Sequence, residues 1–184
     1  MFDELLSDLK AKFPSVSIEL DKREVGDSVL IVDAASLFEV SQYLKESTRW
    51  DFNVLQVITG HDLPPDFIAV TYILASYRQN SELLLRVKLG RQNPKVKSVV
   101  PLWPAANFQE RECYDMLGVQ FEGHPDLRRI LCPEDWEGFP LRKDYKAAES
   151  YNGMEIYPQE KLNLADRQFG KKGQKSVEVT ETVE

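Results

Sequence analysis

Glu110 and Glu112 stand two residues apart in the stretch NFQERECYDMLGVQFEGHPDLRRIL, residues 107–131, and carboxylate pairs are the usual instruments of general acid–base chemistry. That chemistry needs both groups to face one bond. On a helix, residues two apart point to nearly opposite sides, so these two neither share a proton nor flank a common substrate. His124 sits between Gly123 and Pro125. It reads as a turn residue capping a carbonyl, since no nucleophile lies nearby in sequence for it to activate. The two cysteines, Cys113 and Cys132, form no C-x-x-C, and His61 and His124 lack partners at metal-ligand spacing. Neither zinc nor an iron–sulfur cluster is expected on this chain alone, and the thiols read as buried or half-buried. LGVQFEG has neither the glycine spacing nor the following helix of a phosphate loop.

The element that must position these groups is a helix from Pro104 to Leu117. Proline suits its first position, and Gly118 suits the residue after its end. At ~100° per residue, Ala105, Ala106, Cys113, Met116 and Leu117 share one half, with Tyr114 at its edge. Glu110 falls among them, between Leu117 and Tyr114. Arg111, Glu112 and Asp115 fall on the opposite half, where Arg111 and Asp115 form an i,i+4 pair worth a few tenths of a kcal/mol if exposed. A carboxylate on the apolar side must be paired or neutralised. Arg128, Arg129, Arg142 and Lys143 are the nearest rich source of donors, and arginine's planar fork suits a carboxylate best. Glu110 is therefore expected to fix the downstream segment to the domain, or to meet an arginine of a partner subunit. The plainer alternative is a solvated helix face.

Upstream, Phe2, Leu5, Leu6, Leu9 and Phe13 recur at helical spacing until Pro14. VSIEL and VLIV read as two strands of a hairpin. DAASLFEVSQYLKES reads as a helix, with Asp33 as cap and a Ser36/Glu39 capping box one turn later. FNVLQVIT reads as a strand ended by Gly60, DLPPD as a loop, and FIAVTYILASY and ELLLRVKLG as two further strands. The last puts Leu83, Leu85, Val87 and Leu89 on one face and Arg86 and Lys88 on the other. This order predicts an α+β fold: a two-layer sandwich of a mostly antiparallel sheet with helices on one face.

After residue 118 no period of 3.6 or 2.0 persists, but prolines and aromatics continue through Phe121, Trp136, Phe139, Tyr145, Tyr151, Tyr157 and Phe169. A stretch of ~50 irregular residues signals function or disorder, and disordered chains are poor in aromatics. The expected organisation is an α+β domain over 1–118, an extended partner-binding arm over 119–170, and a disordered polar tail over 171–184.

The chain has 184 residues and a net charge of −7 without a basic stripe, which argues against nucleic acid as a partner. No run approaches the ~20 apolar residues of a membrane span, and the acidic start, MFDELLSDLK, lacks a cleavable-signal pattern. A place in the cytosol, or on the cytosolic face of something, is expected.

ERECYDMLGVQFEGHPDLRRIL, with PEDWEGFPLRKDY downstream, resembles the signature of the thirty-kilodalton, or C-type, subunit family of proton-translocating NADH:quinone oxidoreductase, respiratory complex I. The E-R-E, the H-P, the basic pair before Ile130 and P-L-R-K-D-Y occur in order; the resemblance is strong over 108–145 and fades beyond Tyr145. It implies a non-catalytic subunit of the peripheral arm, on the cytoplasmic side of the cell inner membrane and touching the membrane only through the complex. It implies no cofactor in this chain, with FMN and iron–sulfur clusters on other subunits. It also implies docking on the D-type subunit, which forms part of the quinone site, and on other peripheral-arm subunits. The residues it marks for interface or structural roles are Glu110, Arg111, Glu112, Asp115, His124, Arg128, Arg129, Trp136, Arg142, Lys143, Asp144 and Tyr145. Two alternatives stand beside it: the equivalent subunit of a membrane-bound hydrogenase or formate-oxidising complex, and a stand-alone α+β adaptor that binds a peptide at its sheet edge.

Overall fold

The structure, a computed structural model, describes residues 2–22 and 28–156. The expected tail over 171–184 and the part of the expected arm over 157–170 lie outside the described residues. Alternation of side chains builds the main sheet. Its strands are β1 (Ile18–Asp21), β2 (Val29–Val32), β3 (Val54–Leu63), β4 (Phe67–Ser76) and β5 (Ser81–Gly90), in the order β1-β2-β5-β4-β3. All neighbours are antiparallel except β2 and β5. One rung runs Leu20–Leu30–Leu85–Tyr72–Ile58 across all five strands, and the next runs Glu19–Ile31–Arg86–Thr71–Thr59. The first belongs to the apolar face. Leu30, Leu85, Tyr72 and Ile58 are buried there with Leu5 and Leu9 of helix α1 (Phe2–Lys12) and Leu37, Val40 and Leu44 of helix α2 (Leu37–Glu46). On the second rung the Arg86 guanidinium donates to Thr71 Oγ1 at 2.9 Å. The mostly antiparallel two-layer α+β sandwich expected from the alternation is the observed fold.

Three local features differ from the sequence reading. Asp33 and Ser36 make no side-chain cap bonds. A short 3-10 turn (Ala34–Ser36) leads into α2, and the Ser36 N–H bonds the Asp33 carbonyl at 3.1 Å instead. β3 does not stop at Gly60 but runs on to Leu63. A Cβ at Gly60 would collide with Leu117, so glycine there admits a helix against the strand rather than ending it. Lastly, 119–156 is not devoid of regular structure. β7 (Gln120–Glu122) pairs in parallel with β6 (Lys95–Lys97), and β8 (Ser150–Tyr151) forms a hairpin with β9 (Met154–Glu155). Asn152 and Gly153 turn that hairpin at φ 50 and 78°, as the Asn-Gly dipeptide favours.

Two compact units divide the chain, Met1–Tyr145 and Lys146–Glu184. Residues 119–145 thus share a unit with the sheet, and they are where the candidate site lies.

Candidate functional site

Helix α3 (Ala106–Leu117) organises the site. Gln109 anchors it to β3 at a bulge between Leu55 and Val57: its carboxamide oxygen accepts from the Ile58 N–H, and its Nε2 donates to the Gln56 carbonyl at 3.4 Å. Gly118 ends the helix in the left-handed region, φ 78°, and its N–H bonds the Tyr114 carbonyl at 2.8 Å.

The last carbonyls of a helix have no partner within it. Here residues 119–145 return to supply them. Arg129 donates to the Asp115 carbonyl at 3.2 Å, the Leu141 N–H to that of Met116 at 3.0 Å, and Arg142 Nε to that of Leu117 at 2.7 Å. Two guanidinium groups thereby sit at the negative end of the helix dipole. Phe139 lies between them, its ring centre 5.5 Å from the Arg129 guanidinium carbon and 4.7 Å from that of Arg142.

The principal fastening is Asp115, whose side chain is fully buried. Oδ1 accepts from Arg129 at 2.6 Å, and Oδ2 accepts the N–H groups of Ile130, Leu131 and Cys132 at 3.0, 2.7 and 2.8 Å. Burial pushes the pKa of this carboxyl up. The Cys132 N–H, Arg129 and the remaining two N–H groups outweigh it and hold the pKa below the ordinary aspartate value. Arg129 reaches onward to the carbonyls of Trp136 and Gly138 at 2.8 and 2.9 Å. From the helix turn before, Arg111 donates to the carbonyls of Arg128 and Arg129, each at 3.1 Å.

A second fastening closes the far end. Asp62 takes a two-pronged contact from Arg91 at 2.8 and 2.9 Å and accepts the Lys143 N–H at 2.7 Å. Arg91 also holds Asp144, at 2.5 and 3.1 Å. Arg91 is the main reason the Asp62 carboxyl is held below the usual range, against the upward push of burial. Trp136 Nε1 donates to the Tyr145 hydroxyl at 3.0 Å.

Two expectations are corrected by this geometry. Glu110 does not pair with Arg128, Arg129, Arg142 or Lys143. It is fully buried, and its oxygens accept the Ser98 hydroxyl at 2.7 Å and the Val99 N–H at 2.8 Å, which tie down the connection before α3. Nor do Arg111 and Asp115 lie on a wet face. They are 6% and 0% exposed, because residues 128–138 cover the side of α3 turned away from the sheet. The carboxylate that fixes the returning segment is Asp115. Glu112 is exposed. His124 caps a carbonyl, its Nε2 lying 3.1 Å from Asn107 O while Nδ1 accepts the Asp126 N–H at 3.0 Å. The Arg128 side chain, facing solvent, bonds Asp126 at 2.9 Å. Sequence reasoning passed over Asp62 and Arg91, which stand on different strands' ends and carry no local pattern linking them.

Among the described residues, no three His, Cys, Asp or Glu side chains are grouped to hold a metal ion, and no helix is long and apolar enough to cross a membrane. What the arrangement does is chemical in a different sense. It satisfies the polar backbone of an irregular segment from within while leaving Phe108, Leu131 and Leu141 outward, at 64, 64 and 58% exposure.

The family described as "Respiratory-chain NADH dehydrogenase, 30 Kd subunit" matches residues 30–151, a span that contains α3 and both fastenings. The chain belongs to this family. One member of like length is the NADH-quinone oxidoreductase C subunit of Moorella thermoacetica, 43% identical over 145 residues, covering 78% of this chain and 95% of that one. Among solved structures, the trypsin-resistant fragment (1–134) of Nqo5 is 31% identical with a TM-score of 0.56, covering 68% of this chain and 98% of the fragment. A chain of the membrane-bound sulfane sulfur reductase, an archaeal respiratory membrane complex, shares the fold at a TM-score of 0.64 and 20% identity, over 99% of both chains. The 30-kilodalton family thus claims the part of the sequence in which the clasp is built.

Proposed function

We propose that this chain is a non-catalytic subunit of the peripheral arm of an NADH:quinone oxidoreductase, and that the clasped segment 119–145 is its docking platform. In this reading the D-type, quinone-site subunit is the principal partner, other peripheral-arm subunits are secondary ones, and the complex sits on the cytoplasmic face of the inner membrane. The flavin and the iron–sulfur clusters belong to other subunits. The chain contributes position: it holds its neighbours at fixed separation while electrons pass elsewhere.

The observation that carries the reading is the clasp itself. An irregular segment that is mostly solvent-facing is nonetheless fastened at Asp115 and at Asp62, so the exposed Leu131 and Leu141 stand on a pre-ordered backbone. Pre-ordering removes part of the entropic cost of association, and apolar side chains held outward by a polar frame are the usual form of an interface core. The relative in Moorella thermoacetica, named for its place in an NADH-quinone oxidoreductase, supports the assignment of complex.

The test is co-purification. Tagged chain extracted from membranes in detergent is expected to bring down flavin-bearing and iron–sulfur subunits together with the quinone-site subunit. Recovery of a soluble monomer with no such partners would overturn the reading in favour of a stand-alone adaptor.

A further inference from the structure

The clasp draws on one side of α3, and the opposite side holds a carboxyl with no part in either fastening. Glu110 is sealed at 0% exposure, with the Ser98 hydroxyl on Oε2 and the Val99 N–H on Oε1, and among the described residues no cation bonds it. Two neutral donors are a thin complement for a buried charge, whose desolvation costs several kcal/mol. Tyr72 of β4 adds to the cluster. Its hydroxyl is buried and has no hydrogen-bond partner among the described residues, and it feels the charge of Glu110 and of Cys113. Cys113, one turn on in α3, is also buried. The 98–103 connection brings Ser98 and no charge, β3 brings Gly60 at the Cys113 side, and the Glu112 carboxylate stands outside the seal. The surroundings are therefore polar but uncharged, and they suit the neutral acid at least as well as the anion.

We infer that Glu110 is a proton-controlled latch: the proton on its carboxyl sets how firmly α3 is seated on the 98–99 connection and the sheet, and through α3 how firmly residues 129–143 are held. The coupling is mechanical. The carbonyls of Asp115, Met116 and Leu117 and the Asp115 carboxylate all ride on the same helix, so a change in its seat moves four of the clasp's acceptors at once. Burial pushes the Glu110 pKa up to about 7 against the pull of Ser98 and Val99, which puts the change of state in the neutral range. Losing the proton there leaves a carboxylate under the helix with no counter-charge. The latch is a property of this chain and stands apart from which partner docks on the clasp.

Hydrogen exchange of the 184-residue chain tests it, read at the amides of Ile130, Leu131, Cys132 and Leu141 at pH of about 6 and about 8 and corrected for intrinsic exchange. Protection is expected to fall by about tenfold at the higher pH, the factor that one unit of pKa displacement represents. Glu110→Gln, which keeps an acceptor for Val99 and cannot ionise, is expected to remove the difference. His124→Asn, which alters the ionisable ring within the segment itself, is expected to retain it. Equal protection at both pH values in the parent chain, or a persisting drop in Glu110→Gln, overturns the proposal. Should the Gln variant fail to fold, the carboxyl carbon shift of Glu110 in the parent chain decides: a midpoint in the ordinary glutamate range overturns it, and one near neutrality supports it.

Discussion

Arg129 lies 2.6 Å from Asp115 with one guanidinium nitrogen, while its other terminal nitrogen spans to two carbonyls seven and nine residues further on. One side chain thus joins the end of a helix to the two limbs of an irregular loop. Lysine carries the same charge but not the planar fork that makes this three-way contact.

Asp115→Ala removes the acceptor of one guanidinium and three backbone N–H groups in a site that is 0% exposed. The expected loss is about 3–5 kcal/mol, as for other half-removed buried pairs. Urea unfolding of the purified chain measures it. Arg129→Lys is expected to fall between Asp115→Ala and the parent chain.

Stability should pass through a maximum with pH. Asp115 and Asp62 have folded pKa values below their ordinary ones, so their contribution is present above the usual aspartate range and is lost as pH falls through it. Glu110 has the opposite sign. Its folded pKa of about 7 exceeds the ordinary 4.5, so the folded state binds more protons between those values and stability declines as pH rises through that window. The full decline from this one group is about 3 kcal/mol. Unfolding midpoints measured from acid to neutral pH should show both limbs, and Glu110→Gln should flatten the upper one alone.

Gly118 and Gly123 both have positive φ, at 78 and 82°, yet a side chain would meet very different surroundings. At Gly123 a Cβ has open space; at Gly118 it would stand 2.6 Å from the Phe139 ring and 2.9 Å from Arg142. Gly123→Ala is expected to cost only the left-handed strain, about 1–2 kcal/mol. Gly118→Ala adds displacement of Phe139 and should lower the melting temperature clearly further.

Leu131 is 64% exposed, although its N–H is buried on Asp115. Leu131→Ser keeps the backbone contact, so the isolated chain should change by less than about 0.5 kcal/mol. Association with the complex should nonetheless weaken, seen as loss of the assembled band on native gels of mutant membranes. A normal band would remove Leu131 from the docking face.

The strands were legible because Leu83, Leu85, Val87 and Leu89 alternate with Arg86 and Lys88, and the sheet uses that alternation as written. The burial of Glu110 was legible too, from its place among Cys113, Met116 and Leu117. Its partners were not, since Ser98 and Val99 lie in an unpatterned connection that only the tertiary fold brings under the helix. Arg111 and Asp115 were misplaced for a related reason. A helical wheel gives each helix one wet side, whereas α3 is covered on both, by the sheet and by the returning segment. The Asp62–Arg91 contact joins ends of two strands that are not neighbours in the sheet, a relation that no spacing along the chain encodes. The Asn152-Gly153 turn was readable from its dipeptide alone.

Gln109 has a role that reaches past α3. β3 is an outermost strand, and such margins invite another polypeptide to add itself by backbone pairing. By occupying the Ile58 N–H and the Gln56 carbonyl, this one carboxamide blocks that margin midway along its length. A newly made chain waiting for its complex is thereby protected against stacking onto its own copies.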